Sequence, residues 1–186
     1  MNTPTEKLHK VILGIDPGTT IMGYGLIQII KNEPQLMQMG VIHLDKFEDH
    51  FVRLQKIYER CTHLIEQYLP DEVALEAPFY GKNIQVMLKI GRAQGVAMSA
   101  ALAKNLPIYE YAPRKIKQSI TGNGNASKEQ VAKMLQNNFN LTSEMPLFDA
   151  TDALAVAVCH FYSNKIPQNK AKSWSAFVKE NKDRVQ

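Results

Sequence analysis

Residues 12–27 read ILGIDPGTTIMGYGLI, two apolar, β-branched runs joined by Asp-Pro-Gly-Thr-Thr. Runs of this length on either side of a Pro-Gly turn predict two buried strands, Val11 to Asp16 and Met22 to Ile30. The aspartate is the difficulty. An ionised carboxylate at the end of a buried strand is costly unless it is hydrogen-bonded, paired or bound to a metal. The turn offers one partner. Proline presets its first central residue, glycine allows positive φ at the next, and Asp16 could accept from a backbone N–H two residues on. A cation would offer another, and both readings stay open at this point.

Outward from this stretch, Leu36 to Leu44 reads as a third strand after the polar KNEPQ, which gives a meander. Phe51, Leu54, Ile57, Tyr58, Cys61, Leu64, Ile65 and Tyr68 then recur at helical spacing, and Val73 to Glu76 is a short buried strand. A second helix spans about residues 83 to 105. Its Gly91, Ala93, Gly95, Ala97, Ser99, Ala100, Ala101 and Ala103 permit close packing against the sheet or against a second subunit. Pro107 to Tyr111 is a fifth strand, followed by the basic PRKIKQ and a mobile-looking TGNGNA loop. Ser127, three residues before Gln130, predicts a capping box at the next helix, and the last helix begins near Asp149. The order predicts an α/β domain with a mixed five-stranded sheet flanked by helices, a single unit over 1–163. Residues 164–186 form a basic tail with an isolated WSAF cluster, expected to be disordered until something binds it.

The chain has 186 residues, 45% of them hydrophobic, enough for one sizeable core and short for two independent domains. MNTPTEKLHK contains no apolar signal-type segment, and the longest uncharged apolar run, ALAVAVCHFY, is too short to cross a bilayer. A cytoplasmic protein with no membrane partner is the expectation. Cys61 and Cys159 lack metal-ligand spacing and read as reduced core thiols. His43, His63 and His160 share no metal spacing either. The net charge of +4 is unevenly spread. Lys82, Lys89, Arg92, Lys104, Arg114, Lys115, Lys117, Lys128 and Lys133 stand against only Glu110 and Glu129, and acidic stretches lie on both sides. Such separation suits a polyanion held near an acidic centre, although the same cations could simply solvate helix faces.

If Asp16 ends a strand, other carboxylates at comparable ends matter, because a hard divalent cation takes oxygen ligands from several segments. Glu76 closes VALE just before Ala-Pro-Phe-Tyr, repeating the pattern of buried strand, acid and chain break. Asp149 and Asp152 in FDATDALAVAV are three apart at the start of an apolar helix and share a face. Each has a structural alternative, with Asp149 as N-cap and Asp152 in the first turn favouring the helix dipole.

Together these acids resemble the centre of ribonuclease H-like nucleases, and more specifically the RuvC-type Holliday-junction resolvases. The residues that carry the resemblance are ILGIDPGTTIMGYGLI, ALEAPFYGKNIQVMLKIGRAQGVAMSAAL, YAPRKIKQSITGNGNASKEQVAKML and DATDALAVAVCH, in the family's order from about residue 11 to 163. The resemblance implies a ribonuclease H-like fold with Asp16, Glu76, Asp149 and Asp152 as catalytic metal ligands. Some relatives have histidine where Asp149 stands. It also implies a homodimer that cuts four-way DNA junctions by paired symmetric nicks, leaving 5′-phosphate ends, in homologous recombination and DNA repair. Two Mg²⁺ ions, or Mn²⁺, would serve each site, activating water and stabilising the leaving oxygen about 4 Å apart. Cooperation with a junction-binding protein and a branch-migration motor, of the RuvA and RuvB type, is implied as well.

Lys117 and Lys128 match family positions at the active site, where an ammonium could hold a phosphate. Lys128 also sits in a helix's first turn, where a cation opposes the dipole. Arg114, Lys115 and Lys82 read as contacts to backbone phosphates. Phe79 matches the family's aromatic position, and with Tyr80 could stack on an unpaired base, or could belong to the core. Two other functions compete. GIDPGTT is similar to the phosphate turn of actin-like and sugar-kinase-like ATP-binding proteins, but those need two lobes and a second such turn. A DNA-binding module derived from a nuclease but without catalysis is disfavoured by the presence of all four acids.

Overall fold

The computed structural model describes residues 9–78, 83–141 and 148–165. Strands β1 (Lys10–Asp16), β2 (Ile21–Ile30) and β3 (Glu33–His43) form the antiparallel meander. Strands β4 (Glu72–Glu76) and β5 (Ile108–Tyr111) extend the sheet in parallel from the other side of β1, giving the order β3-β2-β1-β4-β5. Parallel neighbours need long crossovers. Helices α1 (His50–Tyr68) and α2 (Ile84–Leu102) supply them, and α3 (Pro113–Thr121), α4 (Lys128–Phe139) and α5 (Phe148–Lys165) follow β5.

Period-two alternation divides the core into two layers. Val11, Leu13, Ile15, Val73 and Leu75 face α1 and α2, whereas Ile12 and Ala74 face α3, α4 and α5. Asp16 and Glu76 fall at even positions of the same two strands, so parity turns both carboxylates toward α5. That helix is apolar around most of its circumference, as expected for one packed between the sheet and two further helices. It buries Ala150, Thr151 and every residue from Ala153 to Phe161.

Glycine brings α5 unusually close to the strands. A Cβ added at Gly14 would lie 2.3 Å from the Ala153 carbonyl oxygen, and one at Gly23 would lie 1.9 Å from that of Asp149. Gly23 pairs with Asp16 across the β1–β2 ladder. The trough in the sheet therefore seats the first turn of α5 directly beside the end of β1.

Three local readings change. KNEPQ is not all connector: Lys31 and Asn32 take φ of 49° and 65° in a two-residue hairpin turn, and β3 begins at Glu33. PRKIKQ is helical, with Pro113 opening α3 and Ile116 and Ile120 buried. The TGNGNA loop is tied down. Gly122 caps α3 at φ 76°, and Thr121 and Asn123 accept backbone N–H bonds within the loop. The capping box at α4 forms between Ser127 and Gln130.

The small residues of α2 serve two faces. Ala93, Ala97, Ala100 and Ala101 are buried against the sheet layer, while Gly91, Gly95 and Ser99 are exposed. Cys61 and Cys159 are buried free thiols. Among the described residues no helix is long and apolar enough to cross a membrane.

Candidate metal centre

Asp16, Asp149 and Asp152 converge where β1 ends beside the start of α5. One oxygen of each lies within 4.8 Å of the others. Glu76, one strand over, faces the same open cleft of about 620 Å³, with Lys117, Arg114, Asn125 and Lys128 around it. The i, i+3 spacing of Asp149 and Asp152 does what helical geometry requires and puts both on the face toward β1. Helix α5 begins at Phe148, so Asp149 lies inside its first turn rather than at the N-cap, and Asp152 lies one residue beyond that turn.

Among the described residues no hydrogen bond joins the Asp16 carboxylate to the Pro-Gly turn. Burial first, and then the charges of Glu76, Asp152 and Asp149, push Asp16 up from 3.8 to about 8, against the opposing pull of Lys128. Burial and the charge of Asp152 push Glu76 up to about 7, while Lys128 and Lys117 act the other way. Such a cluster binds protons when no other cation is supplied. An all-carboxylate donor set drawn from three elements fits a hard divalent ion, which would replace those protons.

Lys128, the first residue of α4, donates to Asp152 at 2.5 Å. Burial disfavours its charge, but that bond and the fields of Asp152, Asp16 and Asp149 outweigh burial and raise its pKa. The dipole cost of a cation at a helix start is thereby offset by the acidic centre it faces. Lys117 and Arg114 line the cleft from α3. A Cβ at Gly124 would meet the Arg114 side chain at 2.6 Å, so the glycine gives the arginine room to lie along the loop. Lys115 is exposed on the same helix but does not line the cleft. Phe79, Tyr80 and Lys82 lie outside the described residues.

The family model for "Crossover junction endodeoxyribonuclease RuvC" matches residues 12–160. The chain is 56% identical over 184 residues to the protein of that name from Porphyromonas gingivalis, covering 95% of this chain and 97% of that one. It is 55% identical over 184 residues to the one from Cytophaga hutchinsonii, covering 99% and 92%. The chain belongs to the RuvC family. The Thermus thermophilus RuvC solved in complex with a Holliday junction substrate superposes with a TM-score of 0.76 at 31% identity, over 83% of this chain and 94% of that one. The yeast mitochondrial Holliday junction resolvase superposes at 0.59 with 13% identity, a likeness of fold alone.

Two polar side chains of this RuvC-family chain reach the site's backbone from the opposite layer. Arg53 on α1 donates to the Thr19 carbonyl at 3.1 Å and to that of Phe47 at 2.6 Å, clamping the turn after Asp16. Gln94 on α2 donates to the Glu76 carbonyl at 3.3 Å and to Glu110 at 2.7 Å. Sequence reading passed over both. The available signal for Gln94 was a lone polar residue in register with Ala97 and Ala101. Among His43, His63 and His160, only His160 is buried, bridged between the Tyr111 hydroxyl and Glu72 at 2.6 Å each. His43 and His63 are exposed.

Proposed function

We propose that this chain resolves four-way DNA junctions, cutting two symmetry-related strands to leave 5′-phosphate ends in recombination and repair. Asp16, Glu76, Asp149 and Asp152 would hold two Mg²⁺ ions, or Mn²⁺, in each site. The observation that carries this reading is the meeting of acids from β1, β4 and α5 beside Lys117 and Lys128 in one open cleft. The ions supply activation of the attacking water and stabilisation of the leaving 3′ oxygen. The protein's own groups do the rest. To ligate, the carboxylates would have to shed their protons, and a bound cation would offset the mutual repulsion that helps raise Asp16 and Glu76. Lys128, which donates to Asp152 across the cleft, would hold the scissile phosphate from α4, and Lys117 would hold it from α3. Both ammonium groups line the cleft into which the phosphate would enter.

Residues 1–163 are read as the nuclease unit, whose last helix α5 runs on to Lys165, and the basic tail beyond it as adding to polyanion affinity. Arg114 and Lys115 hold backbone phosphates, as does Lys82, while Phe79 and Tyr80 stack on bases opened at the junction. Cleavage of both strands requires a homodimer, and the outer face of α2 suits it. Leu88 and Leu102 are 52% and 61% exposed there, and a Cβ at Gly91 or Gly95 would meet nothing within 4 Å. A partner helix could approach closely along that stripe. We read its setting as the cytoplasm, alongside a junction-binding protein and a branch-migration motor.

Cleavage of four-way, three-way and linear DNA of matched sequence, with Mg²⁺ and with EDTA, tests this reading. Symmetric nicks confined to the four-way junction and dependent on metal are expected. Junction binding without cleavage would instead make the chain a non-catalytic DNA-binding module.

A further inference from the structure

Asp16 pairs in the β1–β2 ladder, Asp149 and Asp152 ride on α5, and Glu76 ends β4, paired with Tyr111 on the β5 side only. The β1–β4 pairing stops at Leu75, one residue short of Glu76, and Pro78 follows two residues later. What reaches Glu76 from across the sheet is Gln94, which is only 4% exposed. Its amide nitrogen donates both to the Glu76 carbonyl and to the Glu110 carboxylate. Leu75 and Glu110 are opposite each other in the β4–β5 ladder, as are Glu76 and Tyr111. The amide thus spans the ends of both parallel strands at the point where the metal ligand leaves the sheet.

Burying an amide among Ala93, Ala97 and Ala101 is unfavourable unless its N–H groups are satisfied, and an apolar residue would fill the position without that cost. The bond to Glu110 has a charged acceptor and is the stronger of the two. It fixes the amide plane, which leaves the remaining N–H aimed at the Glu76 carbonyl. The direction of that carbonyl sets the tilt of the peptide, and with it the line along which the Glu76 side chain enters the cleft.

We propose that Gln94 is a positioning residue for the metal centre, orienting Glu76 through its backbone and so setting divalent-cation affinity from the layer of the sheet that faces away from the site. The inference rests on the reading of Glu76 as a metal ligand. Outer-shell partners of metal ligands are commonly worth at least about tenfold in metal affinity, and a similar loss is the expectation here.

Mn²⁺ binding to the full-length, DNA-free protein, followed by the electron paramagnetic resonance of free Mn²⁺, tests it together with thermal unfolding in EDTA. Gln94→Met keeps the volume and removes both donors. A folded Gln94→Met protein should bind Mn²⁺ about tenfold more weakly, and its affinity for a junction in EDTA should stay at the wild-type value. If it is folded and binds Mn²⁺ as wild type does, Gln94 is a packing residue and the proposal fails. Should it not fold, exposed Glu110 offers the second route. Glu110→Gln loosens the amide, while Glu129→Gln removes an equal charge from beside Lys117 and Lys128 without touching Gln94. Mn²⁺ affinity must then fall further in Glu110→Gln, and equal falls overturn the proposal. Glu76→Gln separates the two layers of inference. Unchanged Mn²⁺ binding in that variant would remove the metal-ligand reading itself, whereas weakened binding there with none in Gln94→Met sinks only the role of Gln94.

Discussion

Asp16→Asn removes one charge, keeps nearly the same volume and retains the capacity to form an Asx turn, so it separates the two roles open to the residue. In the metal-free protein Asp16 is pushed from 3.8 to about 8. For a carboxylate raised in the folded state, the unfolded chain ionises first, and stability falls as pH rises between those two values. Each pKa unit corresponds to about 1.4 kcal/mol, so the cost at pH 8 approaches about 5 kcal/mol before relaxation and solvent screening reduce it. Even half of that is worth about 5 to 10 °C in the unfolding midpoint of a chain this size. Asp16→Asn should therefore melt higher than wild type at pH 8 in EDTA, with the gap closing as pH approaches 4. In Mg²⁺ the order should reverse, because the wild type gains ligand binding and the variant does not. Single-turnover junction cleavage should fall at least about a thousandfold, a loss of about 4 kcal/mol in transition-state stabilisation. Junction affinity in EDTA should hold or rise, since repulsion from the phosphates decreases. Circular-dichroism melts across pH, with and without metal, read the first part directly. A variant that melts below wild type at pH 8 in EDTA would refute the burial and repulsion penalty assigned to the carboxylate, and near wild-type cleavage would remove it from the ligand set.

Lys117→Ala should slow single-turnover cleavage more than it weakens junction binding at matched salt, and equal losses would make the lysine an ordinary phosphate contact. Mn²⁺ affinity of the DNA-free protein should increase from about pH 6 to about pH 8, because Asp16 near 8 and Glu76 near 7 must both release protons to ligate. Calorimetry in two buffers of different ionisation enthalpy should register that proton release, and a pH-independent affinity would contradict the assigned ligands. Gly23→Ala places a methyl group 1.9 Å from the Asp149 carbonyl oxygen. Displacing α5 should cost about 3 kcal/mol in urea unfolding and abolish cleavage, and a neutral substitution would refute the close seat of the helix.

The alternating and continuous apolar runs of β1, β2 and β4 made the sheet readable, because side-chain period is a property of the local chain. The four acids stood out for a related reason: each interrupts an apolar run at the end of a strand or the start of a helix, where a charge needs a partner. Ser127 and Gln130 announced α4 through a contact three residues long. Short-range signals failed where the pattern was too brief or the partner too distant. Helix α3 offered one buried pair, Ile116 and Ile120, which is too little periodicity to separate a helix from a basic loop. Lys31 and Asn32 adopt positive φ without glycine, so the hairpin turn that lengthens β3 carried no strong turn signature. The small residues of α2 looked like one packing surface, and only the placement of the helix against the sheet divided them between core and exterior. The meeting of Asp16 with Asp149 and Asp152 depends on Gly14 and Gly23 admitting α5 against strands more than a hundred residues away in sequence. Arg53 and Gln94 likewise reach the site through bonds spanning 34 and 18 residues. Composition and spacing name the residues able to bind a cation, but no local propensity encodes their separation, which is fixed by close packing of the helices on both faces of the sheet.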